Sequence, residues 1–135
     1  MIGILIATHG ELSKGLVDAV ELIMGEQEKI DTVSLKHGDD ITGFGEKIKE
    51  KIEQLDNGKG VLVFTDIFGA SPFNQSAQQK RTLESIEFRI ISGVNLPMLL
   101  EVISLRDNSI ADVYAQLIQT GKESIKDFDE EMANS

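Results

Sequence analysis

The sequence contains no cysteine and no tryptophan, and it has only two histidines. Without cysteine there can be no disulfide, thiolate nucleophile or iron–sulfur centre, and two histidines argue against a histidine-based zinc site. We therefore expect no metal and no cofactor. Any covalent chemistry must use oxygen or imidazole.

Positive charge is also scarce, because 13 basic residues face 23 acidic ones and the net charge is −10. Such a chain repels phosphate backbones and anionic lipids, so nucleic acid is not an expected partner, whereas a basic protein is. No apolar run approaches the roughly 18 residues of a membrane-spanning helix, and the N-terminus lacks the basic region of a signal peptide. We expect a cytoplasmic protein without direct membrane insertion.

Short runs of β-forming residues alternate along the chain with longer stretches of helical period. The predicted strands are residues 2–7, 30–35, 61–65 and 87–92. The predicted helices run from Leu12 to Ile23, from Ile41 to Leu55, from Ser71 as N-cap, from Pro97, and from Ser109 through Ile125 to Phe128. The first and third strands are apolar almost throughout, which is typical of central parallel strands covered on both faces.

This order of elements predicts an α/β fold, a three-layer open sheet of four parallel strands with helices on both faces. At 135 residues the chain fits one domain, which we place at residues 1–130. The acidic end, residues 131–135, is expected to fray.

Two polar residues end the apolar strands. His9 follows the first strand and Asp66 follows the third. In open α/β sheets, ligands bind beyond the carboxyl ends of the strands, so neighbouring strands would bring these side chains to one edge. A carboxylate that accepts a hydrogen bond from Nδ1 leaves Nε2 unprotonated, which makes His9 a candidate nucleophile.

The surrounding residues favour phosphorus as the electrophile. Helices are predicted to begin near both positions, and the N–H groups and positive dipole end of a helix N-terminus hold phosphoryl oxygens. The candidate phosphate-binding residues are Thr8, Gly10, Ile67, Gly69 and Ser71. The second histidine, His37, lies in the polar turn "KHGDD" and is interpreted as an ordinary surface residue.

Three segments carry a family resemblance: "IGILIATHG" at residues 2–10, "VLVFTDIFGASPFN" at residues 61–74 and "ISGVNLPMLLE" at residues 91–101. In this order they resemble the enzyme IIA domain of the mannose family of the bacterial phosphoenolpyruvate-dependent sugar phosphotransferase system (PTS). One departure is Ala70, where relatives often have a second glycine.

The resemblance implies specific roles. His9 would take a phosphoryl group on Nε2 from the phosphohistidine of the carrier HPr and pass it to a IIB component, which phosphorylates the sugar during transport. Asp66 would hold Nδ1, and Ser71 would lie near the phosphoryl group. Two subunits would exchange an additional antiparallel strand, not located in this sequence, to form a homodimer. The chain would be either a stand-alone subunit or one domain of a fusion.

The sequence leaves three alternative functions open. The nearest is the phosphotransferase subunit of a PTS-dependent dihydroxyacetone kinase, although the "GASPFN" segment favours the sugar transporter. A histidine phosphatase would have arginine where Thr8 precedes His9. A receiver domain would phosphorylate Asp66, but the first strand is not followed by acidic magnesium ligands.

Overall fold

A computed structural model describes residues 1–135 as four strands and six helices. The strands are β1 (Gly3–His9), β2 (Ile30–Leu35), β3 (Val61–Thr65) and β4 (Phe88–Ser92). The helices are α1 (Leu12–Met24), α2 (Ile41–Leu55), α3 (Ser71–Thr82), α4 (Leu96–Ser104), α5 (Ile110–Glu123) and α6 (Phe128–Ala133). No helix has the length and apolar character needed to cross a membrane.

The four strands form one parallel sheet in the order β2-β1-β3-β4, which confirms the predicted fold class. From β1 the chain passes to β2 on one side and then returns to β3 on the other. The order of the strands therefore reverses between β1 and β3. A crevice at the carboxyl ends of these two strands is the expected ligand site of such a sheet.

Apolar layers cover both faces of the sheet. Successive residues of a strand point to opposite faces, so Ile4 and Ile6 of β1 join one layer while Leu5 and Ala7 join the other. The first layer contains buried residues of α1, α4 and α5, and the second is built largely from α2. Burial on both faces explains why β1 and β3 lack the polar alternation of a half-exposed strand.

The predicted last helix is wrong in its extent. It ends at Glu123, and a separate helix begins at Phe128. The break has a tertiary cause, because the Gly121 carbonyl accepts hydrogen bonds from Asn95 Nδ2 at 3.0 Å and Ser124 Oγ at 2.7 Å. These donors take the place of the next helical N–H. Consequently α5 does not extend to Ile125 and Phe128, which are 80% and 73% exposed.

Two other predicted features have different outcomes. The first and last apolar residues of the first predicted helix, Leu12 and Ile23, are not buried. They are 50% and 58% exposed. Helix α6 covers part of the end that was expected to fray, and none of its residues is buried. The fraying of residues 131–135 and the exchanged fifth strand both stay predictions.

Candidate functional site

His9 and Asp66 meet at the carboxyl edge of the sheet. Oδ2 of Asp66 lies 2.8 Å from Nδ1 of His9 and also accepts the backbone N–H of His9 at 2.9 Å. The other carboxylate oxygen, Oδ1, accepts the N–H of Ile67 at 3.0 Å. Three contacts thus fix the carboxylate, and two of them fix the orientation of the histidine.

The ionisation of Asp66 decides the tautomer of His9. Partial burial by itself would raise the pKa of Asp66, but the hydrogen bonds from the His9 N–H, the His9 ring and the Ile67 N–H outweigh it, so the pKa lies below the ordinary value of 3.8. An ionised carboxylate has only acceptors, so Nδ1 must carry the hydrogen. The lone pair is then on Nε2, away from Asp66.

The imidazole is accessible while its partner is sheltered. The His9 side chain is 47% exposed and the Asp66 side chain 11%. His9 borders an open cavity of about 560 Å³, and the residues that line it are His9, Gly10, Glu11, Leu35, Lys36 and His37. The imidazole is therefore accessible from solvent, which a nucleophile requires.

The loop after β3 presents the second half of the site. Gly69 has a φ of 82°, a left-handed conformation that favours glycine. Asn74 of α3 donates from Nδ2 to the Gly69 carbonyl at 2.8 Å and so holds the loop against the helix. The predicted capping role of Ser71 is wrong: Ala70 is the N-cap of α3, and no side chain caps this helix.

The five predicted phosphate-binding residues differ in the hydrogen bonds that their polar groups make within the protein. Thr8 is fully buried and its hydroxyl accepts the N–H of Ser13 at 2.9 Å, near the start of α1. The Gly10 N–H donates to the Leu35 carbonyl at 2.7 Å, and the Ile67 N–H is used by Asp66. The N–H groups of Gly69 and Ser71 have no backbone acceptor. All five roles stay predictions.

Exposed apolar side chains lie close in sequence to Asp66 and His9. Ile67 and Phe68, directly after Asp66, are 58% and 76% exposed, and Leu12 lies three residues after His9. The Phe68 ring packs against Phe73, with ring centroids 4.6 Å apart. Exposed apolar groups next to a reactive atom are typical of a surface that docks another protein.

Sequence reasoning overlooked three residues of the cavity beside His9. Glu11, Lys36 and His37 line it because β1 and β2 are neighbours and His9 is paired with Leu35 across them. The sequence contained part of the information needed to predict these three residues. The parallel pairing of the first two strands places the residues that follow each of them side by side.

Comparisons with known proteins agree with the fold and show the family of the chain. A family model described as "PTS system fructose IIA component" matches residues 3–119. The chain is 35% identical over 127 residues to the "PTS system mannose-specific EIIAB component" of Escherichia coli K12, covering 93% of this chain and 39% of that protein. It is 33% identical over 108 residues to the "PTS system fructose-specific EIIA component" of Bacillus subtilis 168, covering 80% of this chain and 73% of that protein.

A solved structure has the same architecture. The phosphotransferase system component EIIA from Streptococcus agalactiae superposes with a TM-score of 0.89 at 29% identity, covering 96% of this chain and 99% of that one. The chain spans 39% of the length of the Escherichia coli relative. The family model covers most of the 135 residues and confirms the resemblance carried by the three segments. This chain belongs to the mannose-type EIIA family of sugar phosphotransferase system components.

Proposed function

We propose that this protein is a phosphoryl carrier in which Nε2 of His9 accepts a phosphoryl group from phosphorylated HPr and passes it to a IIB component. The observation that carries the proposal is the 2.8 Å contact between Nδ1 of His9 and Oδ2 of Asp66, in an imidazole side chain that is 47% exposed. The contact fixes the proton on Nδ1 and leaves the nucleophilic lone pair on the opposite side of the ring.

The phosphoryl transfer needs no separate general base, because Nε2 carries no hydrogen. The Nε2 lone pair attacks phosphorus, the N–P bond to the donor imidazole breaks, and its electron pair returns to the donor nitrogen. His9 keeps the hydrogen on Nδ1, so its ring carries positive charge once Nε2 bears PO₃. The Asp66 carboxylate stabilises that charge by accepting the Nδ1 hydrogen. The reverse steps, with a IIB nucleophile in place of the donor, discharge the carrier.

The protein has mainly to position the reactants, because phosphoryl transfer proceeds in line through a loose transition state. The N–H groups of Gly69 and Ser71 are suited to hold phosphoryl oxygens, since they have no backbone acceptor and lie at the start of α3. We include both residues in the proposed phosphoryl site. Phe68 and Ile67, which are exposed beside Asp66, form the proposed docking surface for the partners.

Location, assembly and substrate are also part of the proposal. A net charge of −10 suits a donor with a basic docking face in the cytoplasm. The homodimer with an exchanged strand would use one of the two free edges of the sheet, β2 or β4. Relatives are named for mannose, fructose and sorbose, and we propose that this carrier serves a sugar of this class.

The test is incubation with phosphoenolpyruvate, enzyme I and HPr, followed by mapping of an acid-labile, alkali-stable phosphate. We expect the label on His9 and none in His9→Gln. His37→Gln is the matched control, because it removes the other imidazole of the same cavity and should be labelled normally. A label that survives in His9→Gln, or that disappears in His37→Gln, would contradict the proposal.

A further inference from the structure

Lys36 lies beside the proposed phosphoryl site and has no role in the chemistry above. It lines the cavity of His9. Its backbone position is fixed, because its N–H donates to Oδ2 of Asp39 at 2.8 Å and the preceding carbonyl, that of Leu35, accepts the Gly10 N–H at 2.7 Å. The flexible side chain therefore starts from a fixed point next to the reactive histidine.

A carboxylate occupies the same cavity. Glu11, two residues after His9, lies with Oε1 3.1 Å from Nζ of Lys36 and 3.8 Å from Nζ of Lys14. The hydrogen bond from Lys36, helped by the charges of Lys14 and Lys36, lowers the pKa of Glu11 below its ordinary value of 4.5. Glu11 is thus ionised at neutral pH and lines the same cavity as His9.

A phosphoryl group on His9 would change the balance of charge in this cavity. It brings roughly two negative charges and three acceptor oxygens. The Glu11 carboxylate repels it, whereas the Lys36 ammonium is attracted to a partner of higher charge than the carboxylate it now contacts. Lys14 already lies near the same Glu11 oxygen, so Glu11 keeps a cation when Lys36 moves.

We propose that Lys36 exchanges partners during the carrier cycle: it pairs with Glu11 in the free protein and contacts the phosphoryl oxygens when Nε2 of His9 is loaded. The lysine thereby stabilises the loaded carrier, and Glu11 competes with the phosphoryl group for it. No bond to phosphorus changes in this step. Only the ion-pair partner of Lys36 changes, so loading and unloading become sensitive to both side chains.

The exposure of Lys36 and Glu11 limits how strongly a substitution at either residue should change the loaded fraction. The side chains of Lys36 and Glu11 are 54% and 65% exposed, so solvent screens their interaction. We expect Lys36→Met to reduce the loaded fraction at equilibrium with phosphorylated HPr by about threefold to tenfold, the range of a screened charge-assisted contact. Glu11→Gln should change it in the opposite direction, because the competitor is removed. Lys36→Arg should retain most of the wild-type value.

The matched control is Lys51→Met. Lys51 also pairs with a carboxylate, that of Asp31 in β2, with Nζ 2.7 Å from Oδ2, and it lines a neighbouring groove together with Lys36. It does not line the cavity of His9. This variant removes the same unit of charge from the same side of the protein, so a difference between the two lysines reports on the phosphoryl group and not on net charge.

The inference rests on the proposed function, and the experiment separates the two. The loaded fraction and the hydrolysis half-life of the isolated phosphorylated chain are measured for every variant, since the half-life does not depend on docking. Opposite shifts in Lys36→Met and Glu11→Gln, with Lys51→Met unchanged, support the exchange. Equal values in Lys36→Met and Lys51→Met overturn it while the carrier function stands. An unlabelled wild-type chain overturns the carrier function itself.

Discussion

One carboxylate oxygen of Asp66 contacts His9 at two atoms, 2.8 Å from Nδ1 and 2.9 Å from the backbone nitrogen. The backbone contact ties the end of β1 to the loop after β3, and the ring contact orients the imidazole. Both contacts depend on the same atom. A substitution at Asp66 therefore affects both the position of the His9 imidazole and the negative charge beside it.

Asp66→Asn should slow phosphoryl transfer to His9 by about 10- to 100-fold, because a hydrogen bond to a charged group contributes roughly 1.5–3 kcal/mol. The neutral amide cannot stabilise the positive ring. Transfer is followed by rapid-quench labelling with phosphorylated HPr. Asp31→Asn is the control, since it removes an exposed β2 carboxylate that binds Lys51 instead of His9. Wild-type rates in Asp66→Asn would show that His9 needs no carboxylate.

Acid should remove the stabilising contribution of Asp66 only below its ordinary pKa of 3.8. The pKa is lower in the folded protein, so this contribution is fully present above the unfolded value and is lost as the pH falls through the folded value. The difference in free energy of unfolding between wild type and Asp66→Asn should therefore shrink below about pH 4. Urea titrations from pH 5 to pH 2.5 measure it. A difference that grows towards acid would contradict the assigned shift.

The predicted pairing of strand ends succeeded for a physical reason. In parallel sheets the carboxyl ends of neighbouring strands share one edge, so His9 and Asp66 could be placed together from two apolar runs alone. Side-chain directions beyond the strands were harder to predict. Lys36 and His37 line the cavity of His9 because they follow β2, the neighbour of β1, but the conformation of the turn that contains them has no periodic signature in the sequence.

The helix errors have a similar origin. The apolar stripe from Ser109 to Phe128 is continuous in sequence, and local spacing predicts one helix. The break depends on Asn95, which lies 26 residues before Gly121 and binds its carbonyl. Tertiary contacts of this kind override local propensity.

Phe68→Ser should weaken transfer between proteins while sparing His9 itself. The ring is 76% exposed beside Asp66, and loss of an interface aromatic reduces kcat/KM for a protein donor by about tenfold. Labelling by phosphoramidate, a small donor, should stay within about twofold of wild type, because the docking surface is not used. Leu22→Ser is the control: Leu22 is 88% exposed in the last turns of α1. Equal losses with both donors would place Phe68 in the chemistry and not in docking.

Two buried threonines near the ends of neighbouring strands should respond to valine in opposite directions. Thr65 is fully buried and its hydroxyl has no hydrogen-bond partner, whereas the hydroxyl of Thr8 accepts the N–H of Ser13 at 2.9 Å. Burying an unpaired hydroxyl is unfavourable, so Thr65→Val should raise the free energy of unfolding by about 1 kcal/mol.

Thr8→Val should lower the free energy of unfolding by about 1–2 kcal/mol, because it leaves the Ser13 N–H buried without an acceptor. Urea midpoints of the two variants, compared at an unchanged m-value, measure both effects. The pair is a sharp test because volume and burial are alike and only the partner of the hydroxyl differs. Shifts in the same direction would mean that packing near the carboxyl ends of β1 and β3, and not hydrogen bonding, sets the stability of this edge.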